Sequence, residues 1–242
     1  MKEEFSADYR KIEELVNEFL IKFRSIKDFP LDYVSLLKEI GNEVAIELLP
    51  FSWLEEHGVN PENILESKDA ETKELNGRYI IFYNQKMPQS RILFSILHEI
   101  AHILLGHDLD LIQEYRKTGD SRFQALYGRY EKEANYFSSC FMMPRPVLNR
   151  LWALGCYITS DFLKTKFGAS GEAAAICIKA LQKSSTRSVS YWDKDKSLEQ
   201  AVVAKFSDFI KKTAPRQKSY EEESLYEERM QRERDRWIAE GY

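Results

Sequence analysis

Apolar and polar positions along this 242-residue chain alternate at mostly helical spacing, interrupted by a few short strand-like stretches. Residues 8–24 place Ile12, Leu15, Val16, Phe19, Leu20 and Phe23 on one stripe, which predicts an amphipathic helix. Asp28-Phe29-Pro30 breaks it, and a second helix runs from Pro30-Leu31 to Ile40 before Gly41-Asn42. Residues 43–49 alternate, with Val44, Ile46 and Leu48 on one side, and predict a strand. Residues 52–68 are polar, anchored by Trp53, Leu54 and Ile64, and His57 among them reads as a surface histidine. Asn76-Gly77 predicts a tight hairpin between residues 71–75 and 78–83. The second arm, Tyr-Ile-Ile-Phe-Tyr, is rich in strand formers and leads into the next helix. Its edge is expected to be open to an extended peptide.

That next helix carries the chemistry. Residues 92–105 are apolar almost all the way round, the pattern of a buried helix, yet they include His98, Glu99 and His102. Burying unpaired polar groups costs several kcal/mol, roughly 2–7 each. A metal ion resolves the conflict. Positions 98 and 102 are i and i+4, so both imidazoles leave one face about 6 Å apart at Cβ. His-Glu-x-x-His is the arrangement in which two neutral imidazoles hold a metal and the glutamate serves as general base. His107 follows Gly106, off that face, and reads as a helix-end cap or rim residue.

Residues 108–120 read as a polar connection. A helix over residues 121–143, stopped by Pro144, has Leu126, Tyr130, Ala134, Phe137 and Phe141 on its core face. A two-histidine site needs a third protein ligand and an open fourth position. Glu133 lies within about 60° of the core face, whereas Glu131 points further round toward solvent. Glu133 is therefore the acid expected to supply the third ligand, with a solvated helix glutamate as the alternative. Helices follow at 144–154, 160–167 and 171–182. The last two are joined by Phe-Gly-Ala-Ser, a helix-turn-helix pattern. The second of them has few side chains suited to reading bases or phosphates, so the pair is read as packing.

A compositional shift at residues 183–188 marks a linker. Beyond it are expected a short strand at 188–192 and an amphipathic helix over 198–211 with Val202, Val203, Phe206 and Phe209. A charged helix over 220–240 follows, its acids first and its arginines last, as the helix dipole favours. Its apolar stripe (Tyr226, Met230, Trp237) is thin, as in a solvated helix or a partner-docking arm. The expected organisation is an α+β domain over 1–183, mostly helical with a small antiparallel sheet beside the metal helix, and an extension of strand and helices over 184–242.

Composition narrows the class. Apolar residues make up 43% and charged residues 31%, as in soluble domains, and a net charge of −4 argues against a basic nucleic-acid surface. No run reaches membrane-spanning length and the first residues lack the apolar core of a signal peptide. Cys140, Cys156 and Cys177 form no Cys-x-x-Cys pair and read as reduced thiols of a cytoplasmic protein.

His98-Glu-Ile-Ala-His102, then Glu131-Lys-Glu-Ala-Asn-Tyr-Phe137 and Phe141-Met-Met-Pro144, make the chain resemble the ImmA/IrrE family of metallo-endopeptidases over about residues 30–183. Asn135 stands where that family usually has Asp, and Ser138 where it has Ala. The resemblance implies Zn2+ held by His98, His102 and Glu133, with Glu99 as catalytic base. It also implies a regulatory protein as substrate, such as a helix-turn-helix repressor of a mobile element or phage. The expected activity is then narrow endoproteolysis, with Tyr130, Tyr136 or His107 as donor to the oxyanion. The alternative is a non-proteolytic, metal-containing regulatory or toxin-like protein that acts by binding a partner or DNA. Neither reading involves a membrane.

Overall fold

The computed structural model describes residues 7–43, 45–185, 196–215 and 220–239. The strand expected at 188–192 lies outside them. The described residues form a mostly helical α+β fold around one three-stranded sheet.

The sheet contains β1 (Ile46–Pro50), β2 (Ala70–Leu75) and β3 (Arg78–Tyr83) in the order β1-β3-β2. Asn76 and Gly77 both take positive φ, 53° and 73°, which matches the two-residue hairpin turn predicted from their identities. β2 therefore pairs antiparallel with β3, while β1 pairs parallel with it. This makes the sheet mixed and places β3 at its centre. The open edge expected on residues 78–83 is not there, because both sides of β3 are already hydrogen-bonded. The edge nearest the chemistry belongs to β2, which packs on the histidine helix.

That helix, α4 (Gln89–Leu104), follows Pro88 and buries Ile92, Leu93, Ile96, Leu97, Ile100 and Ala101. Gly106, in the left-handed region at φ 66°, turns the chain sharply after it. Residues 108–120 are not a polar connection. They form α5 (Leu109–Thr118), whose N-cap Asp108 accepts from the Leu111 amide and whose stop is left-handed Gly119. Its inner stripe is Leu109, Ile112, Gln113 and Arg116, too polar to stand out by apolar periodicity.

α6 (Gln124–Met142) packs along α4, and α1 (Tyr9–Lys22) packs on α6. Ala134 and Ser138 are fully buried small residues that let α4 and α6 approach closely. At the start of the polar stretch over 52–68, a short α3 (Phe51–Glu56) sends Phe51 and Leu54 to a second apolar cluster with Leu65 and Phe82. The remaining helices are α2 (Tyr33–Glu43), α7 (Arg145–Ala153), α8 (Ser160–Phe167), α9 (Gly171–Ser185), α10 (Ser197–Lys205), α11 (Ser207–Thr213) and α12 (Tyr220–Ala239).

The boundary expected after residue 183 does not divide the core. Val202, Phe206, Phe209 and Ile210 are buried in the same cluster as Ile12, Leu20, Phe141 and Phe167. Phe29 meets Phe206 at 4.7 Å and Phe209 at 5.1 Å between ring centroids. The helix expected over 198–211 is broken into α10 and α11 at Phe206, which is fully buried. By contrast, residues 227–236 of α12 are all exposed. Among the described residues no helix is long and apolar enough to cross a membrane.

Candidate metal centre

His98 and His102 leave α4 on one face, and their Nε2 atoms lie 3.0 Å apart. The opposite nitrogen of each ring determines which tautomer it adopts. His98 Nδ1 lies 3.1 Å from Asn135 Oδ1, an acceptor, so that nitrogen carries the proton and Nε2 carries a lone pair. His102 Nδ1 lies 2.8 Å from His107 Nδ1, and His107 Nε2 lies 3.0 Å from Glu133 Oε2. The carboxylate can only accept, so neutral His107 donates from Nε2 and accepts at Nδ1; His102 donates from Nδ1. Both Nε2 lone pairs then face each other at 3.0 Å, a repulsive arrangement that a cation between them converts into ligation. Burial and the neighbouring His98 push the pKa of His102 down from 6.5 to about 2, which keeps the imidazole neutral and able to ligate.

Glu131 completes the cluster. Its Oε2 lies 3.3 Å from His98 Nε2 and its Oε1 lies 3.7 Å from His102 Nε2. Tetrahedral donors about 2.0–2.1 Å from zinc sit about 3.3 Å from one another, so these separations fit one small ion. His98, His102 and Glu131 are the one group of three candidate ligands among the described residues. Burial raises the Glu131 pKa, but in the metal-free protein a His98 ring protonated at Nε2, with its hydrogen bond and charge, and the charge of Arg116 outweigh it, and its carboxyl falls to about 2.

The structure thus brings His98 and His102 together as expected but sets Glu133 apart from them. The Glu133 carboxylate accepts from His107 and from Arg129 Nε at 3.1 Å. The two glutamates are about 200° apart on the helix, so α6 cannot aim both at α4. Glu131 lies on the flank that also carries Asn135, one turn on. His107 is not a rim residue either. It is buried, its amide donates to the His102 carbonyl, and its ring stacks on Tyr130 at 4.2 Å. The positive φ of Gly106 folds it back against the helix it has just left.

Glu99 is buried beside the pair. Its Oε2 accepts from the Thr72 amide at 3.0 Å and the Thr72 hydroxyl at 2.7 Å, both from edge strand β2. Its Oε1 faces Arg116 Nη1 and Nη2 at 3.4 and 3.3 Å. Arg116 Nη2 also reaches Glu131 Oε1 at 3.3 Å, and Tyr127 lies beside both, its hydroxyl pKa raised by burial and the Glu131 charge. Arg116, Thr72 and Tyr127 do not stand out in the sequence. The signal for Arg116 is its place one turn past Ile112, between an Asp cap and a Gly stop. The site opens onto a cleft of about 2400 Å³ bordered by Tyr9, Phe94, Tyr127, Trp152 and Ile176.

A helix presenting two convergent imidazoles, with a carboxylate from an adjacent helix and a second carboxylate alongside, gives this α+β protein a candidate metal site of the His-Glu-x-x-His kind. The IrrE N-terminal-like domain family, peptidase M78, matches residues 56–179, and the chain belongs to that family. No curated protein matches the chain. A solved structure described as a Mycobacterium tuberculosis transcriptional regulator is 15% identical, with a TM-score of 0.49. The match covers 74% of this chain and 49% of that one, so this chain spans about half of its length.

Proposed function

We propose that the protein is a zinc-dependent endopeptidase of narrow specificity acting on a cytoplasmic regulatory protein. The observation that carries the reading is the pair of Nε2 lone pairs converging with the Glu131 carboxylate, with Glu99 buried next to them. His98, His102 and Glu131 would hold the ion through two nitrogens and one oxygen, a donor set suited to zinc. Zinc bound there supplies a Lewis acid that acidifies water and polarises a carbonyl. Glu99 takes the proton of the attacking water and passes it to the departing amine nitrogen. Asn135, and His107 backed by Glu133, hold the two imidazoles in the tautomers that keep Nε2 free. The choice of a repressor as substrate rests on the family resemblance, and the cleft gives an extended chain room to approach Glu99.

A second reading is a metal-containing regulator without hydrolytic activity. It draws on one observation: the Glu99 carboxylate is fully engaged by Thr72 and Arg116. The experiment is hydrolysis of a candidate repressor and of casein by zinc-loaded protein, alongside Glu99→Ala. Selective cutting that vanishes in Glu99→Ala with zinc retained supports the peptidase. Stoichiometric zinc with no cutting of any substrate supports the second reading, and rapid general digestion of casein sinks the narrow specificity.

A further inference from the structure

A carboxylate offers about four acceptor positions, two on each oxygen. In Glu99 all of them are taken: Oε2 by the amide and hydroxyl of Thr72, Oε1 by both terminal nitrogens of Arg116. A general base with no acceptor position left cannot take a proton from water, so turnover requires one donor pair to withdraw. Thr72 is held by the ladder of β2 and β3, and its contacts are the shorter, 3.0 and 2.7 Å. Arg116 reaches in on a long side chain from α5, and its contacts are the longer, 3.4 and 3.3 Å. Arg116 is the donor that can leave.

The reaction also needs a donor for the oxyanion, and the candidates taken from the sequence are committed elsewhere. Tyr136 donates to Glu13, His107 is locked between His102 and Glu133, and Tyr130, stacked on His107, does not line the cleft that reaches Glu99. Resting on the peptidase reading, we propose that Arg116 is a catalytic residue. It leaves Glu99 when the scissile carbonyl enters and donates instead to that carbonyl oxygen, so that one guanidinium both frees the base and stabilises the oxyanion.

The exchange is near-balanced in charge, because Arg116 trades one anionic partner for another that forms as the reaction proceeds. Its contact with Glu131, 3.3 Å from Nη2, gives the side chain a pivot during the move. In the addition step, the water oxygen forms a bond to the carbonyl carbon. The water proton goes to Glu99 Oε1, and the π pair of the C=O moves to the oxygen facing Arg116. In the collapse, that pair re-forms the C=O, the C–N bond breaks, and the nitrogen takes the proton from Glu99. Arg116 can then return to Glu99, restoring the resting arrangement.

The test compares wild type, Arg116→Ala and Arg116→Lys as full-length, zinc-loaded proteins. A phosphinic tripeptide, whose tetrahedral anion copies the addition intermediate, and the ordinary tripeptide amide are titrated by calorimetry. Zinc stoichiometry is measured for every variant, and kcat and KM are measured on a quenched fluorogenic peptide mixture. The expected result is at least about a tenfold loss of phosphinic-peptide affinity in Arg116→Ala, with zinc and tripeptide-amide binding unchanged. The loss in rate should fall on kcat, and Arg116→Lys should lie between, since a point charge replaces a fork. If Arg116→Ala sheds zinc, the Lys variant decides by the same comparison. Unchanged phosphinic-peptide affinity at full zinc overturns the inference, as does faster hydrolysis, which would make Arg116 only a clamp on Glu99. A wild type that neither cuts peptides nor binds the phosphinic peptide overturns the peptidase reading itself, and the inference falls with it.

Discussion

Glu131 and Glu133 sit two positions apart on α6 and have opposite fates, because the helix is buried on more than one side. The apolar periodicity of Tyr130, Phe137 and Phe141 points to the broad core face, and Glu133 lies near it. The ligand flank instead lies at the small-residue side of that face, along Ala134 and the buried Ser138, and no hydrophobicity count singles out a serine. The histidine pair and Glu99 were legible, since polar groups on an all-apolar helix demand an explanation. The third acid was not, because it depends on which flank of α6 meets α4. The clue to that flank is Asn135, one turn beyond Glu131 and the partner of His98. Glu131→Gln should therefore lose most of its zinc on dialysis. Glu133→Ala should keep the ion but bind it about 10–100-fold more weakly, as for lost outer partners. Metal analysis with chelator competition checks both, and full zinc in Glu131→Gln would return the ligand role to Glu133. The same residues set the acid stability of the metal-free protein. Folded His102 stays neutral down to about pH 2, whereas the unfolded imidazole takes a proton below 6.5. Unfolding thus takes up a proton in that window, and stability falls as pH falls through it, by at most about 1.4 kcal/mol per pH unit. Glu131, with its carboxyl lowered from 4.5 to about 2, adds a second loss below 4.5. Urea titrations of chelated protein from about pH 7 to 4 should show a shallower decline in His102→Gln than in wild type; equal slopes would remove His102 as the cause.

At the level of elements, β2 and α5 converge on Glu99 from opposite sides, one through a backbone amide and the other through a long side chain. The hairpin was legible because Asn76-Gly77 tolerates the positive φ values that the turn requires. The order of the strands was not, because the parallel pairing of β1 with β3 joins segments separated by the whole of β2. α5 is hard to see in the sequence because its inner stripe ends in Gln113 and Arg116, half-buried polar residues held by partners on β2 and α4. Its ends are marked nonetheless, by Asp108 and Gly119. Removing the Asp108 cap with Ala should cost about 1 kcal/mol, within the range for N-cap losses. If α5 serves mainly to place Arg116, Asp108→Ala should also lower kcat while leaving zinc stoichiometry intact. Chemical denaturation and metal analysis on one preparation separate the two effects. An unchanged midpoint would mean that the α5 start is held by packing rather than by its cap.

At the level of the whole molecule, the described residues beyond 183 include α10 and α11, which help build the core, and residues 227–236 of α12, which do not. A compositional break at 183–188 suggests one appendage, and the amphipathic pattern of 198–211 shows that something is buried without showing against what. Its partners come from the far end of the chain. Phe206 and Phe209 surround Phe29 together with Phe167, and the Lys205 ammonium donates to the carbonyls of Leu20, Ile21 and Phe23 where α1 ends. Burying that ammonium lowers its pKa, and the carbonyl ends of α1 compensate the lost water. Phe206→Ala should cost about 3–5 kcal/mol, because a large ring is lost from a site with no exposure to collapse into. Two truncations then give opposite outcomes. Ending the chain after residue 215 removes α12, whose residues 227–236 are all exposed, and should leave zinc content and the thermal transition of the rest essentially unchanged. Ending it after residue 195 removes Val202, Phe206, Phe209 and Ile210 from the core and uncovers Ile12, Leu20 and Phe29. That protein should lose its cooperative transition and bind a dye for exposed apolar surface, with zinc lost as α1 loosens from α6. A cooperative melt and full zinc in the shorter of the two truncated proteins would show that α10 and α11 only cover a core complete without them.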